Sequence, residues 1–514
     1  MIYKNFHFLA YLISSILFIF FILFKKPISL EFDLLSMYDV ALVVSFNLTQ
    51  GKLLFIFTVF LIFSSVYHFS LPYMSSESNV KRFLLVLLSF AISMIFLICS
   101  GNLFTTLLGW DGLGVTSMLL IMYYCSTSSL KASMYTFLMN RMGDCFFLLV
   151  IFMLCCKYPT FNSILQNSLE QGSTKMVMLF MIFLAITKSA QIPFSSWLTK
   201  AMEAPTPVSS LVHSSTLVTA GVYVLYVYQD IWMSETCLTL LMVLSISTLL
   251  VSSIAGMVET DLKKIVAYST LSQLGFIFFL FSIKIFEAGF FYLIMHAFFK
   301  ALMFMSSGYI IHNSSGWQDI RKMTLNQMCS PTVVKIFFVS SMSLCGMPFL
   351  AGFYSKDLVL DILLSSNYPS VLMFLMMLSF TFTVMYVLRI CWYLSCGILA
   401  VSPMSDQDLS MIKSTLVLFM CSCLMGSMIL WLFLPNLPPL DSVIHSLVAT
   451  FFMKISSTLL WYFDLLGLTG SFLKNFPNIK SFDKFDYWLK NYNWSISDLL
   501  ITSFLLIFLF KMIF

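Results

Sequence analysis

The chain has 514 residues, of which 60% are hydrophobic and only 10% charged, and its mean hydropathy is +0.94. Soluble domains carry about 25% charged residues, so no soluble globular class fits. The net charge of +5 is thinly spread and forms no basic patch, which argues against a nucleic-acid partner.

The twelve cysteines show no CxxC or His–Cys cluster. Cys421 and Cys423 are two apart and most others lie within apolar runs, so they read as small buried hydrophobes, neither disulfide-bonded nor iron–sulfur or metal ligands.

About 20 apolar residues span a bilayer, and about fourteen or fifteen runs of that kind occur here. The first, 8–24, lacks a small-residue cleavage site and reads as a span rather than a signal peptide. Residues 28–48 are short, polar-interrupted and β-leaning, which predicts a hairpin outside the membrane. Spans follow at 52–70, 83–101, 103–124, 133–156, 174–198, 207–228, 237–258, 262–282, 286–311, 331–364, 370–397 and 412–434, with 441–462 and 498–514 last. Between these two, 463–494 interleaves Phe, Trp and Leu with Lys474, Lys480, Asp483, Lys484, Asp486 and Lys490, the pattern of an amphipathic interfacial helix, kinked at Pro477. Lys/Arg counts give no orientation, and no low-complexity linker divides the chain.

Two spans are broken alike. The run 174–198 is interrupted around Pro193, just after Lys188, and 331–364 is interrupted through Gly346-Met347-Pro348 and Gly352, just before Lys356-Asp357. Paired interrupted helices in two halves of a transporter point to inverted repeats around a midplane ion site. Non-helical backbone at that depth needs protein or water around it. A charge in hydrocarbon costs about 3 kcal/mol by insertion measurements, so a lysine beside each break favours an ion path over plain packing kinks.

Further ionisable groups lie in the spans: Asp111, Arg141, Asp144, His213, Asp261, Lys263, His296, Lys300 and Arg389. His296 and Lys300 are four apart and share a helix face. Burial favours the neutral form of either an amine or a carboxyl, whereas an opposite charge favours the ionised form. A Lys188–Asp111 pair can therefore hold a proton when closed and release it when open, with water bridging groups at hydrogen-bond reach. Blander readings stand beside these. Arg141 and Asp144, three apart, suit a static ion pair; His213 and His296 suit hydrogen-bonded core histidines; Asp261, Lys263 and Arg389 suit interfacial positions with snorkelling side chains. Asp111 also suits a helix or turn cap before Gly112-Leu113-Gly114.

Trp110-Asp111-Gly112-Leu113-Gly114, Asn140-Arg141-Met142-Gly143-Asp144 and Lys188-Ser189-Ala190-Gln191-Ile192-Pro193 together resemble the core of the antiporter-like (Mrp-type) subunits of respiratory complex I. Ala204-Pro205-Thr206-Pro207, His213, Thr260-Asp261-Leu262-Lys263-Lys264, His296-Ala297-Phe298-Phe299-Lys300 and Gly352-Phe353-Tyr354-Ser355-Lys356-Asp357 continue the likeness in unbroken order from about residue 101 to 389. Lys356, where the subunit 4-like branch has a glutamate, His213, where sibling branches place a lysine, and the partly polar tail favour the distal, subunit 5-like branch.

The resemblance implies an all-α polytopic membrane protein with two inverted-repeat bundles, a lateral helix and a final anchor. It divides the chain into N-terminal helices and hairpin (1–100), a proton-translocating core (101–397), late membrane helices (398–462) and lateral helix plus anchor (463–514). At 1.5 Å per residue the lateral helix would reach about 48 Å. A proton path would run through Asp111, Asp144, Lys188, His213, Lys300, His296, Lys356 and Asp357, driven by quinone reduction elsewhere.

The resemblance places FMN, iron–sulfur clusters and quinone in partner subunits, with no cofactor or metal in this chain beyond bound phospholipids. Partners would be the other membrane-arm subunits, notably a subunit 4-like neighbour, and accessory subunits. The abundance of Phe (55) and Met (35) suits an AT-rich organellar gene, hence the mitochondrial inner membrane. Two departures stand out: the family usually has Glu at the position of Asp111, and it has two spans before the hairpin where one is found here, leaving a space for lipid or an accessory subunit. A stand-alone Na⁺/H⁺ antiporter subunit shares the core motifs and is the alternative. A purely structural scaffold leaves the paired breaks unexplained.

Overall fold

The computed structural model describes residues 2–433 except 25, 38–39, 156–173, 315, 324–330, 348–349, 366–369 and 397–408. The expected spans at 441–462 and 498–514 and the lateral helix at 463–494 lie outside the described residues. Helix α1 (Ile2–Leu23) leads into strands β1 (Ile28–Met37) and β2 (Val40–Leu48). The strands pair antiparallel with Ile28 opposite Leu48 and Met37 opposite Val40, the hairpin that the sequence predicts.

Next come α2 (Gln50–Tyr73), α3 (Val80–Cys99), α4 (Leu103–Ile121) and α5 (Thr127–Cys155). The first interrupted span is α6 (Thr174–Lys188) followed by the short α7 (Ser196–Lys200). Helices α8 (Thr206–Val227), α9 (Glu235–Val258), α10 (Leu262–Ser282) and α11 (Phe286–Asn313) form the middle of the chain. The second interrupted span is α12 (Pro331–Cys345) and α13 (Ala351–Ser365), followed by α14 (Ser370–Cys396) and α15 (Leu409–Phe433). Among the described residues eleven helices are long and apolar enough to cross a membrane, in addition to the two interrupted spans.

The hairpin marks one face of the bundle. The Gly101 amide donates to the Ser45 carbonyl at 2.8 Å, Asn102 Nδ2 donates to the Val43 carbonyl at 3.2 Å, and Lys52 Nζ donates to the Ser100 carbonyl. The junction of α3 and α4 is thus tied to β2 and to the start of α2. Counting crossings from this face, α6 enters the membrane from the hairpin side and α12 from the opposite side. Contacts on the far face agree: Ser128 Oγ lies 3.5 Å from Glu203 Oε2, and Asp261 bridges to Asp319. Two broken helices entering from opposite faces are what an inverted repeat requires.

Helices α8, α10 and α11 are enclosed by their neighbours, whereas α4, α5, α9, α14 and α15 carry exposed apolar residues such as Leu108, Leu138, Phe152 and Phe374. Buried hydroxyls turn back onto their own helices: Ser64 donates to the Leu61 carbonyl at 2.8 Å and Thr270 to the Ala267 carbonyl at 2.7 Å. This local bonding satisfies them where lipid offers no partner.

Two residues differ from the sequence expectation of snorkelling. Arg389 on α14 donates to the carbonyls of Gly256, Met257 and Glu259, so it closes the C-terminal end of α9. Helix ends leave such carbonyls unpaired and partly negative, which draws the guanidinium inward. Lys263, only 6% exposed, likewise donates to the Ala204 carbonyl at 3.2 Å. Asp261 keeps its interfacial position, paired with Lys264 at 2.7 Å.

Replacing Asn102 by Ala removes one hairpin-to-helix hydrogen bond, worth about 1 kcal/mol. Hydrogen exchange of the 40–48 amides should speed up roughly fivefold, while exchange within α10 stays unchanged.

Candidate functional site

At the first break, Ala190 takes a left-handed backbone (φ 56°), a strained conformation for a residue with a Cβ. The freed groups are restitched from outside the helix. Trp197 Nε1 donates to the Thr187 carbonyl at 3.0 Å, and Gln191 accepts from Thr248 Oγ1 of α9 at 2.6 Å while its Nε2 donates to the Ser189 carbonyl at 3.3 Å.

Lys188 is the last residue of α6 and fully buried. Its ammonium donates to the Trp110 carbonyl at 2.5 Å and sits 3.9 Å from the centre of the Trp110 ring, a cation–π contact. Trp110 Nε1 in turn donates to Asp144 Oδ1 at 2.8 Å. Arg141 NH1 lies 3.0 Å from Asp144 Oδ2 and 3.3 Å from Asp111 Oδ1.

This arrangement corrects the expected Lys188–Asp111 contact. Asp111 ion-pairs with Arg141, and its side chain is 42% exposed. The physical reason is helical rotation: consecutive residues point about 100° apart, and on α4 it is Trp110 that points inward, fully buried. Capping fails too, because Asp111 sits in mid-helix with Gly112-Leu113-Gly114 helical after it. Asp144, 6% exposed, is the carboxylate nearer the lysine, linked to it through Trp110. Arg141–Asp144 forms the ion pair that the spacing suggests, extended to Asp111.

His213 lies in α8, in a stretch of π-helix, Ser209–Thr216, where Thr216 Oγ1 bonds the Leu211 carbonyl five residues back. Pro205 and Pro207 precede it at the helix start, where first-turn N–H groups have no intrahelical partner. The ring is fully buried, 6.2 Å from that of Trp197, and neither ring nitrogen has a hydrogen-bond partner. The π segment packs against α11 and α10.

On α11, Lys300 donates to Ser269 Oγ of α10, and His296, one turn earlier, has both ring nitrogens without a partner. Both side chains are fully buried, and α11 packs against α13, which carries Lys356.

At the second break Gly346 adopts φ +87°, a conformation open to glycine, and its position lies against the Lys356 side chain. Lys356 donates to the Leu344 carbonyl at the C-terminal end of α12. Asp357 follows on α13, with its side chain outside the description. The structure therefore groups Lys188 with Asp144, and His296 with Lys300 and Lys356, while His213 stands on the helix between.

Sequence reasoning missed Trp110, Ser269, Gln191 and Thr248. Trp110 was legible in principle, since it neighbours Asp111 in the same motif. The other three are ordinary polar residues until the fold brings them to a lysine or a break. Among the described residues no group of three His, Cys, Asp or Glu side chains is placed to hold a metal ion.

The family described as NADH:quinone oxidoreductase/Mrp antiporter, TM matches residues 100–384. NADH-ubiquinone oxidoreductase chain 5 of Anopheles gambiae is 40% identical over 447 residues, covering 86% of this chain and 77% of that protein. Two solved structures share the fold at low identity. One is the archaeal membrane-bound sulfane sulfur reductase (TM-score 0.72, 18% identity, 89% of this chain and 91% of that chain). The other is the Mrp complex from Dietzia sp. DQ12-45-1b (TM-score 0.67, 20% identity, 92% of this chain and 57% of that chain).

Arg141→Gln leaves Asp111 and Asp144 without a cation between them. We expect it to lower thermal stability in detergent by at least about 1 kcal/mol, and Arg141→Gln combined with Asp144→Asn to recover part of that loss.

Proposed function

Because the chain belongs to the NADH:quinone oxidoreductase/Mrp antiporter membrane family, we propose that it is a proton-translocating membrane subunit of an NADH:ubiquinone oxidoreductase, of the chain 5 type. The observation that carries this reading is the row of buried cations. Lys188 and Lys300 are fully buried, Lys356 is 4% exposed, and two of the three sit at helix breaks that enter from opposite faces. Ionisable groups at such depth are rare and by default lie on ion paths.

In this reading Lys188 is held by the Trp110 carbonyl and Lys300 by the Ser269 hydroxyl, while Lys356 donates to the Leu344 carbonyl. A neutral partner keeps the ammonium in place without locking its proton. Moving the Arg141–Asp144–Trp110 unit changes the negative charge felt at Lys188 and so shifts it between holding and releasing a proton. The two histidines, each with a donor and an acceptor nitrogen, suit onward transfer through water. Sodium finds less support: Asp144 is already engaged by Arg141 and Trp110, and the other described side chains of the row, His213, His296, Lys300 and Lys356, are cationic or imidazole.

Asp111 and Arg141 belong to the partner side of the reading. Both are more than a third exposed on the outer faces of α4 and α5, among exposed Leu108, Val115, Leu138 and Met142. A charged pair in lipid is costly, so a neighbouring membrane subunit of the subunit 4-like type covers it. The chain then works in the mitochondrial inner membrane as a mitochondrially encoded part of the assembly. Redox cofactors reside in other subunits, and lipids fill the remaining crevices.

Lys188→Met and Lys356→Met should each lower proton pumping at least fivefold in the assembled complex reconstituted into vesicles. NADH oxidation by an artificial acceptor should stay at the native rate. A native proton-to-electron ratio in both variants would overturn the proposal.

A further inference from the structure

Asn140 opens the Asn140-Arg141-Met142-Gly143-Asp144 motif but takes no part in the path above. Its side chain is 1% exposed, and neither Nδ2 nor Oδ1 has a hydrogen-bond partner. A buried polar group left unsatisfied costs about 1–3 kcal/mol, and the large majority of buried side-chain polar atoms avoid it. Gln191, the other amide of the region, is by contrast bonded at both ends.

The placement of Asn140 follows from the packing of α5 against α6 and α7. At Gly143 the two run so close that an added Cβ would lie 2.2 Å from Thr187 Oγ1. Two turns earlier, Tyr135 OH meets Ser196 Oγ at 2.7 Å. The helices are antiparallel, so Asn140, between these contacts and on the same face as Gly143 and Asp144, stands level with Ser189-Ala190-Gln191. That is the break itself, directly after Lys188.

An amide carries both donors and acceptor, so it can hold a water in a fixed orientation at a polar spot too deep for lipid to satisfy. We infer that Asn140 anchors a water at the break of α6, and that this water is the first acceptor of the proton leaving Lys188. In the transfer the N–H bond of the ammonium breaks, the water oxygen gains that proton, and the water gives up another proton to the next group. The amide is unchanged, so Asn140 is a positioning residue. The inference rests on the proton-translocation reading above.

The test uses the assembled complex in vesicles, measuring pumping rate, solvent deuterium isotope effect and NADH oxidation by an artificial acceptor. Asn140→Leu and Asn140→Ala should cut pumping at least fivefold and alter the isotope effect, with artificial-acceptor oxidation unchanged. Asn140→Ser, whose hydroxyl also donates and accepts, should keep at least half of the native rate. If the leucine variant does not assemble, the alanine and serine pair decides alone.

Native pumping by Asn140→Ala, or equal impairment of the alanine and serine variants, overturns the inference. Lys188→Met and Lys356→Met separate the two levels. Normal pumping by both variants removes the underlying reading, whereas their failure beside a normally pumping Asn140→Ala removes only the role of Asn140.

Discussion

A cation in hydrocarbon must find a negative or polar partner within the protein, and that requirement organises this structure. The bundle meets it with backbone carbonyls at helix ends. Lys356 takes the end of α12, Arg389 the end of α9, and Lys263 the carbonyl of Ala204 in the turn after the first broken span. Breaking a membrane helix at its centre creates such carbonyls at a depth where an intact helix has none. At the second break the gap therefore stabilises the charge of Lys356, whereas Lys188, beside the first break, takes the carbonyl of Trp110 from within α4.

The same physics separates two kinds of ion pair. Arg141 holds Asp111 and Asp144 in a conventional three-member unit at the edge of the bundle, half open to its surroundings. Lys188 and Lys300 in the interior donate to neutral acceptors, a carbonyl and a hydroxyl. A strong pair is suited to transmitting a displacement, because moving one member moves the others, while a weakly held ammonium is suited to exchanging its proton. Trp110 joins the two kinds, with its indole N–H on Asp144 and its carbonyl and ring on Lys188. A change at the exposed Asp111–Arg141 edge thereby reaches the buried row through one side chain.

Much of this was legible in the residues. The spans up to residue 433, the hairpin at 28–48 and both breaks follow from apolar run length, β-leaning composition and Gly/Pro placement, which act locally. The stripe Asn140, Gly143, Asp144 was legible as i, i+3, i+4 spacing, although only the structure shows that it faces α6. The partner of Lys188 was not legible. Trp110 and Asp111 are adjacent, and which one faces inward depends on how α4 is rotated against α3 and α5. Charge complementarity favours the aspartate, but burying the large indole and leaving the carboxylate with Arg141 at the edge fits the packing better. The π segment around His213 was likewise hidden, since no residue pattern within Ser209–Thr216 signals it.

The central claim is that the buried groups from Lys188 to Lys356 form one hydrated path. The most direct measurement is an electron cryo-microscopy map of the assembled complex at a resolution that shows ordered water. The expected result is a chain of waters bonded to the ring nitrogens of His213 and His296 and continuous from Lys188 to Lys356. A map in which both imidazoles are enclosed by dry apolar side chains, with no water between α6 and α13, would contradict the account.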